Sequence, residues 1–135
     1  MRWLIFALLL AGCGQGVPAT TSPVADPTEA EVLANWTPAN QALYAIGKKA
    51  VQKHLLDFPA DPNTEWLAPR LATVNDPATG IPKTMAVGRV KAILPSGASP
   101  VMEWTCWHFD ATNFDGSGYH VMIDGKPSIK IYDKP

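Results

Sequence analysis

The sequence predicts an α+β domain in which one N-terminal amphipathic helix packs on an antiparallel sheet of four or five strands. Three observations lead to this prediction. Apolar residues recur at helical spacing between residues 43 and 55, they alternate with a period of two after residue 70, and turn-forming residues separate the alternating segments. A helix followed by consecutive strands is typical of α+β folds, in which the helix covers one face of the sheet.

The helix is expected to run from Pro38 to about Leu56. Thr37 is a favourable N-cap, and Pro38 takes the first helical position, where its missing N–H costs nothing. The segment 57–62 contains two prolines and cannot continue the helix. The apolar stripe consists of Leu43, Ile46, Gly47, Ala50, Val51, His54 and Leu55. The other side carries lysines that we interpret as a solvated face near the negative end of the helix dipole: Lys48, Lys49 and Lys53.

A shorter helical turn is expected ahead of this helix. Thr28 and Glu31 have the spacing of a capping box, in which the two residues satisfy backbone N–H groups of each other. The turn would extend to about Trp36. We expect Leu33 or Trp36 to pack on the domain.

The strands are predicted from alternation between turn signals. A change of hydrophobic phase across Gly88 predicts a β-bulge, and Asp124-Gly125 predicts a tight hairpin turn. The predicted strands are Arg70 to Val74, Lys83 to Leu94, Val101 to Phe109, Tyr119 to Ile123, and Ser128 to Tyr132. The residues expected to face the helix include Val90, Ala92, Leu94, Met102, Trp104 and Cys106.

This arrangement resembles a cystatin-like or similar roll. The stretch from the helix to the third strand also resembles small uncharacterised exported bacterial domains, a resemblance that implies no known activity. Those domains share an Asp-Pro turn, a Gly-x-Val-x-Ala strand, a glycine turn and an aromatic-x-Cys strand. Leu94 stands where that pattern has Asn. The matching segments here are Asp61-Pro62, Gly88-Arg89-Val90-Lys91-Ala92, Gly97 and Trp104-Thr105-Cys106.

The first 13 residues resemble the signal sequence of bacterial lipoproteins. A basic start, Met1-Arg2, precedes the apolar run from Trp3 to Leu10, which is too short to span a bilayer. The run ends in Leu10-Ala11-Gly12-Cys13, which resembles the lipobox of that family. The resemblance implies cleavage between Gly12 and Cys13. It also implies lipidation of the Cys13 thiol, so that acyl chains anchor the protein to the membrane.

The sequence is therefore divided into three parts. Residues 1–12 are the expected signal peptide, residues 13–37 the lipidated cysteine and a flexible tether, and residues 38–135 a single small α+β domain. Residues 14–28 of this tether are rich in Pro, Thr and Gly and lack the apolar content that a core requires. In Gram-negative lipoproteins an Asp after the lipidated cysteine retains the protein at the inner membrane. Gly14 at this position implies the outer membrane, facing the periplasm, if the host is Gram-negative.

Composition and charge exclude several classes of function. The 135 residues carry a formal net charge of −1, which provides no basic surface for nucleic acid. A hydrophobic content of 47% excludes wholesale disorder. No glycine-rich phosphate loop or nucleophile elbow occurs in the sequence, and we expect no cofactor.

An enzymatic alternative depends on Cys106 and His108. The two residues lie two apart on one predicted strand, so their side chains share a face, as a nucleophile and its base require. Cys106 also falls in the apolar phase of that strand, which is typical of a buried structural cysteine. A small thiol-dependent or hydrolytic envelope enzyme therefore stays open as the alternative.

Neither of two metal-binding patterns is complete. The zinc ligand types His54, His108, His120 and Cys106 match no close-paired zinc motif. The segment from Asn113 to Asp124 resembles a calcium loop, but Asn takes its first place and Asp its twelfth, and a strand is expected to follow. We therefore expect no metal site.

A ligand-binding surface is predicted on the sheet face away from the helix. If the strands on either side of residues 95–100 form a hairpin, parity places Arg89, Lys91, Thr105 and Trp107 on that face, with Arg89 directly across from Trp107. A guanidinium beside an indole is a stable pair and a frequent part of interaction surfaces. An incidental pair, or a face covered by the loop 110–118, is the other interpretation.

The sequence thus predicts a membrane-anchored bacterial lipoprotein with a small non-enzymatic binding domain in the cell envelope. Its expected partners are the membrane, through lipidated Cys13, and an envelope protein, glycan or lipid. The near-neutral charge predicts that nucleic acid is not a partner.

Overall fold

The structure is a computed structural model that describes residues 25–56, 64–94 and 96–134. The predicted signal peptide, Cys13, most of the tether and the segment 57–62 lie outside the described residues. The helices are α1 (Glu29–Ala34) and α2 (Pro38–Leu56). The strands are β1 (Thr64–Asn75), β2 (Pro82–Ala92), β3 (Val101–Phe109), β4 (Gly118–Ile123) and β5 (Lys126–Tyr132).

The five strands form one open sheet in the order β1-β2-β3-β4-β5, and every neighbouring pair is antiparallel. Helix α2 packs over β2, β3 and β4 on one face, and α1 packs beside β1. The predicted α+β class and antiparallel sheet are confirmed. Within the described residues, neither helix has the length and apolar content needed to cross a membrane.

Both predicted helix starts are confirmed by their capping contacts. The Thr28 hydroxyl accepts a hydrogen bond from the Glu31 N–H at 3.3 Å, and the Glu31 carboxylate accepts one from the Thr28 N–H at 2.7 Å. The Thr37 hydroxyl accepts a hydrogen bond from the Asn40 N–H at 3.3 Å, which caps α2. Local sequence therefore determines where each helix begins.

The packed part of the domain begins before Pro38, where the sequence placed its boundary. Leu33 and Trp36 pack against the core cluster, as expected for a lead-in segment. The Trp36 ring meets the Tyr44 ring edge to face at 6.0 Å between centroids. The segment containing α1 is therefore part of the folded unit.

The core lies between α2 and the sheet, with Trp104 of β3 at its centre. Trp104 is fully buried, and its indole lies between Gly47 of α2 and Gly88 of β2. A Cβ atom at either glycine would overlap this indole, and at Gly47 it would also lie 2.7 Å from the Cys106 Cβ. Because neither glycine has a side chain, the helix backbone lies directly on the buried ring.

The predicted bulge at Gly88 is wrong in its position. Strands β2 and β3 pair without interruption, and the irregularity lies in β1, between Leu67 and Arg70, opposite Gly88. Val87 and Val90 are both buried, although an odd spacing along the strand points their side chains to opposite faces. The apolar pattern changes phase here because both faces of the sheet are covered, not because the chain gains a residue.

The predicted turn between the last two strands is confirmed. Asp124 and Gly125 have φ values of 51° and 72°, the left-handed pair that a two-residue hairpin turn of this kind requires. The Asp124 carboxylate also accepts a hydrogen bond from the Glu103 N–H at 3.1 Å. The turn is thereby tied to the start of β3.

Candidate functional site

The residues predicted to bind a ligand share the outer face of the sheet, which is the face away from α2, but they do not form the predicted pair. In the register that pairs β2 with β3, Arg89 lies opposite Glu103, whereas Trp107 lies opposite Met85. The predicted opposition of Arg89 and Trp107 is therefore wrong. The four residues that share the outer face are Arg89, Lys91, Thr105 and Trp107.

The turn between β2 and β3 sets this register. The Leu94 N–H donates to the Ala98 carbonyl at 2.8 Å, and the Gly97 N–H donates to the Leu94 carbonyl at 2.9 Å. Gly97 has a φ of 85°, so the chain reverses tightly around Ser96. The predicted pairing of Arg89 with Trp107 would require a turn centred two residues later, at Ala98.

Trp107 belongs to a small core on the outer face. Its side chain is only 5% exposed and contacts the rings of Phe109 and His120, at 6.3 Å and 5.7 Å between centroids. Burial lowers the pKa of His120, with a smaller contribution from the charge of Lys130, and both effects favour the neutral imidazole. Arg89 is exposed, and the Thr105 hydroxyl is buried, so the four residues do not present one continuous surface.

A cavity of about 290 Å³ lies beside this outer core, and its charged groups already have partners. The Lys130 ammonium binds the Asp115 carboxylate at 3.0 Å, and this contact lowers the pKa of Asp115. The Asp76 carboxylate accepts hydrogen bonds from the N–H groups of Ala78 at 2.9 Å and Asp110 at 3.3 Å. These donors, Ala78 above all, hold the pKa of Asp76 below its usual range. The cavity therefore lies between the turn after β1 and the loop after β3, and the hydrogen bond from Asp110 to Asp76 connects these two segments.

Cys106 lies in the main core and has no access to solvent. Its exposed fraction is 0%, and burial raises the pKa of its thiol to about 12. A thiol with this pKa is protonated at neutral pH, and the thiolate is the form that acts as a nucleophile. The alternative of an enzyme using Cys106 and His108 therefore gains no support from this geometry.

His108 is half-buried and its imidazole contacts Asp133, a residue that the sequence did not single out. The His108 Nε2 lies 2.8 Å from the Asp133 Oδ2, and the Ser117 hydroxyl donates to the same oxygen at 2.8 Å. The hydrogen bond to His108 lowers the pKa of Asp133, and the bond from Ser117 lowers it further. A serine is activated as a nucleophile when its hydroxyl donates a hydrogen bond to an imidazole. The Ser117 hydroxyl donates to the Asp133 carboxylate instead, so this contact does not activate Ser117.

Within the described residues, no three His, Cys, Asp or Glu side chains are grouped closely enough to hold a metal ion. The acidic residues of the calcium-like segment have other contacts. Asp115 binds Lys130, and Asp124 forms the hairpin turn. The interpretation of this segment as loop and turn agrees with these contacts.

A larger open groove lies on the helix side of the sheet, between α2 and β5, and we call it the helix–strand groove. It has a volume of about 720 Å³, within the range of small-molecule sites. It exists because α2 covers β2 to β4, while β5 continues the sheet beyond the helix. Its floor is aliphatic and is formed by Ile46, Ala50, Ile129 and Ile131.

Lysines of α2 line the rim of the helix–strand groove. Lys49 and Lys53 are exposed and lie one helical turn apart on the same flank of α2. His54 of α2 and Lys130 of β5 also line the groove. Lys130 has Asp115 as its partner, whereas the ion pairs of the described residues include neither Lys49 nor Lys53.

This groove was not predicted from the sequence, although the sequence contains two signals for it. Ile46 and Ala50 of the apolar stripe alternate at helical spacing with Lys49 and Lys53, so this edge of the stripe is a mixed flank. Alternating isoleucines also occur on the last strand. Only the placement of β5 beyond the edge of the helix brings the two sets together.

Comparison with known proteins adds no assignment for either face. No protein-family model, no curated protein and no solved structure matches the chain.

Proposed function

We propose that the chain is a membrane-anchored bacterial lipoprotein whose small domain binds a ligand in the cell envelope without catalysing a reaction. The resemblance of Leu10-Ala11-Gly12-Cys13 to a lipobox supports the anchor, with Cys13 as the lipidated residue after cleavage of residues 1–12. In a Gram-negative host, Gly14 supports attachment to the outer membrane with the domain facing the periplasm.

The helix–strand groove is the observation that carries the binding part of this proposal. Small-molecule sites are concave and mostly apolar, with a few polar groups that orient the ligand. The groove has an aliphatic floor, and lysines stand at its rim. The outer cavity supports binding less well, because its ionic groups already have partners: Asp115 binds Lys130, and Asp110 binds Lys83.

We also propose that the fold is of the cystatin-like type or a similar roll. Two features support this finer assignment: the packed helix precedes the strands in the chain, and the strands follow one another in sequence order across a single antiparallel sheet. An experimentally determined structure in which α2 lay at the edge of the sheet, rather than across β2 to β4, would contradict it.

The anchor is tested by metabolic labelling of the full chain with radioactive palmitate in a bacterial host. Cys13→Ser should abolish the label and leave the protein unprocessed, because the thiol is the acyl acceptor. Cys106→Ser is the matched control, since the sequence contains two cysteines, and it should retain the label. Undiminished labelling of the Cys13→Ser variant, or loss of label from the Cys106→Ser variant alone, would reject Cys13 as the lipidated residue.

A further inference from the structure

We propose that the helix–strand groove binds a single acyl chain that carries an anionic head group, as in a fatty acid. The acyl chain would lie on the floor formed by Ile46, Ala50, Ile129 and Ile131, with the anion at the rim between Lys49 and Lys53. This inference rests on the proposed function, in which the domain binds an envelope ligand, and it names the chemical class of that ligand.

The floor of the groove selects for an aliphatic ligand. Ala50 is buried against the core, while Ile46, Ile129 and Ile131 are only half-buried and keep apolar surface open to the groove. Their side chains offer no hydrogen-bonding atoms, so a polar ligand would lose hydration without replacement on this surface. An acyl chain loses no hydrogen bonds there and gains from the removal of its surface from water.

The rim selects for negative charge. Lys49 and Lys53 are like charges at (i, i+4) spacing, an arrangement that destabilises a helix slightly. An anion placed between them would relieve this repulsion and accept charge-assisted hydrogen bonds from both ammonium groups. On the opposite flank of α2, by contrast, Lys48 already binds Glu29 at 2.5 Å.

A single molecule fits these observations better than a membrane surface. A flat anionic bilayer would contact the exposed lysines at the rim, but its head groups would not reach a concave floor built from isoleucines. Only a chain that leaves the bilayer, or that is free in solution, can contact the floor and the rim together.

The first experiment is a titration of the full chain carrying Cys13→Ser, purified without detergent, with decanoate, dodecanoate and tetradecanoate below their micelle concentrations. Affinity should rise by about two- to fourfold for each added methylene, because each one buries more apolar surface. Dodecan-1-ol and dodecylammonium should bind at least about fivefold more weakly than dodecanoate. Equal affinity for the three head groups would overturn the role of the rim.

The second experiment uses variants of the rim. Lys49→Gln/Lys53→Gln should weaken dodecanoate binding by about tenfold and leave dodecan-1-ol binding unchanged, because only the anion contacts the ammonium groups. Lys126→Gln/Lys134→Gln removes the same charge from exposed residues outside the groove and should leave both affinities unchanged. Equal losses in the two double variants would mean that net charge alone attracts the ligand, which overturns the site.

The third experiment uses variants of the floor. Ile129→Thr and Ile131→Thr keep a β-branched side chain on an edge strand, and each should weaken the binding of both the acid and the alcohol. Chemical-shift changes in α2 and β5 on adding dodecanoate locate the binding site in the protein with an unaltered groove, so this measurement does not depend on whether a groove variant folds. Shifts confined to other elements, or binding only to vesicles of anionic phospholipid, would overturn the proposal.

These outcomes separate the inference from the proposed function. Loss of palmitate labelling in the Cys13→Ser variant together with no dodecanoate binding would leave the anchor supported and reject the ligand class alone. Dodecanoate binding to a chain whose label survives Cys13→Ser would support the groove and reject lipidation at Cys13.

Discussion

The two flanks of α2 carry similar residues but have opposite surroundings. On the β1 side, Lys48 binds Glu29 of α1, and its ammonium lies 4.8 Å from the centroid of the Trp66 ring. On the β5 side, Lys49 and Lys53 stand at the rim of an open groove. One flank is closed by α1 and the long strand β1, and the other is left open where β5 extends past the helix.

This difference shows that a lysine's role depends on the layer that faces it, not on its place in a helical pattern. The closed flank gives Lys48 a carboxylate and an aromatic ring, so this side chain contributes to packing. Neighbouring Lys49 is exposed. Three predictions test whether coverage by a second layer governs stability in this domain.

The largest expected effect concerns the outer face, where loops rather than a helix provide the cover. Trp107→Ala should lower the free energy of unfolding by about 3–5 kcal/mol, because it leaves a cavity among Phe109 and His120. Arg89→Ala, on the same face but exposed, should change it by less than about 0.5 kcal/mol. Urea unfolding measures both values. Equal stability of the two variants would mean that the outer face is bare, as an exposed binding surface requires.

An intermediate effect is expected from Cys106, which lies under the centre of α2 between the two flanks. Burial raises the pKa of its thiol from 9.0 to about 12, so the unfolded chain ionises before the folded one as pH rises. The free energy of unfolding is therefore at its full value well below pH 9 and declines as pH rises through 9. The decline should be about 1.4 kcal/mol between pH 8 and pH 10.

The comparison for this decline is Cys106→Ala, measured in a Cys13→Ser background. The variant should be less stable by about 1–2 kcal/mol at pH 7, and its stability should decline much less than that of the parent between pH 8 and pH 10. Tyr44 contributes equally to both proteins, because burial and then the neighbouring Glu29 carboxylate raise the pKa of its hydroxyl in either folded state, so the difference between the two stability curves reports Cys106. An equal decline in both proteins would assign the effect to another group.

The sequence predicted the elements that depend on local chemistry. The capping box at Thr28, the N-cap at Thr37 and the hairpin turn at Asp124 all depend on residues close together in the chain. Alternation also predicted that Cys106 shares the helix-facing side with Trp104, and both are fully buried. These predictions required no knowledge of how distant segments meet.

The sequence did not predict features that depend on which layer covers a strand. The exposed Arg89–Trp107 pair failed because the turn at Gly97 shifts the register by two residues, and because a loop covers Trp107. The groove was missed because alternation in β5 does not reveal that α2 stops short of this strand. Both errors concern contacts between segments that are distant in sequence.

The smallest expected effect compares adjacent lysines on the two flanks. Lys48→Ala removes the partner of Glu29, whose side chain is only 20% exposed, and should lower the free energy of unfolding by about 1–2 kcal/mol. Lys49→Ala should lower it by less than about 0.5 kcal/mol. Both variants make the same substitution within one helix, so the gain in helix propensity is shared and their difference reports the tertiary contacts.

A double-mutant cycle with Glu29→Gln identifies the source of this difference. If the ion pair is responsible, Lys48→Ala should lower the free energy of unfolding by about 1 kcal/mol less in the Glu29→Gln background, because a neutral amide, unlike a carboxylate, is not left as an unpaired charge. The residual cost would belong to the contact between the lysine and the ring of Trp66. Lys49→Ala should show no coupling to Glu29→Gln. Equal coupling at both positions would mean that stability depends only on the total charge of the helix. The proposed difference between the closed and the open flank would then be wrong.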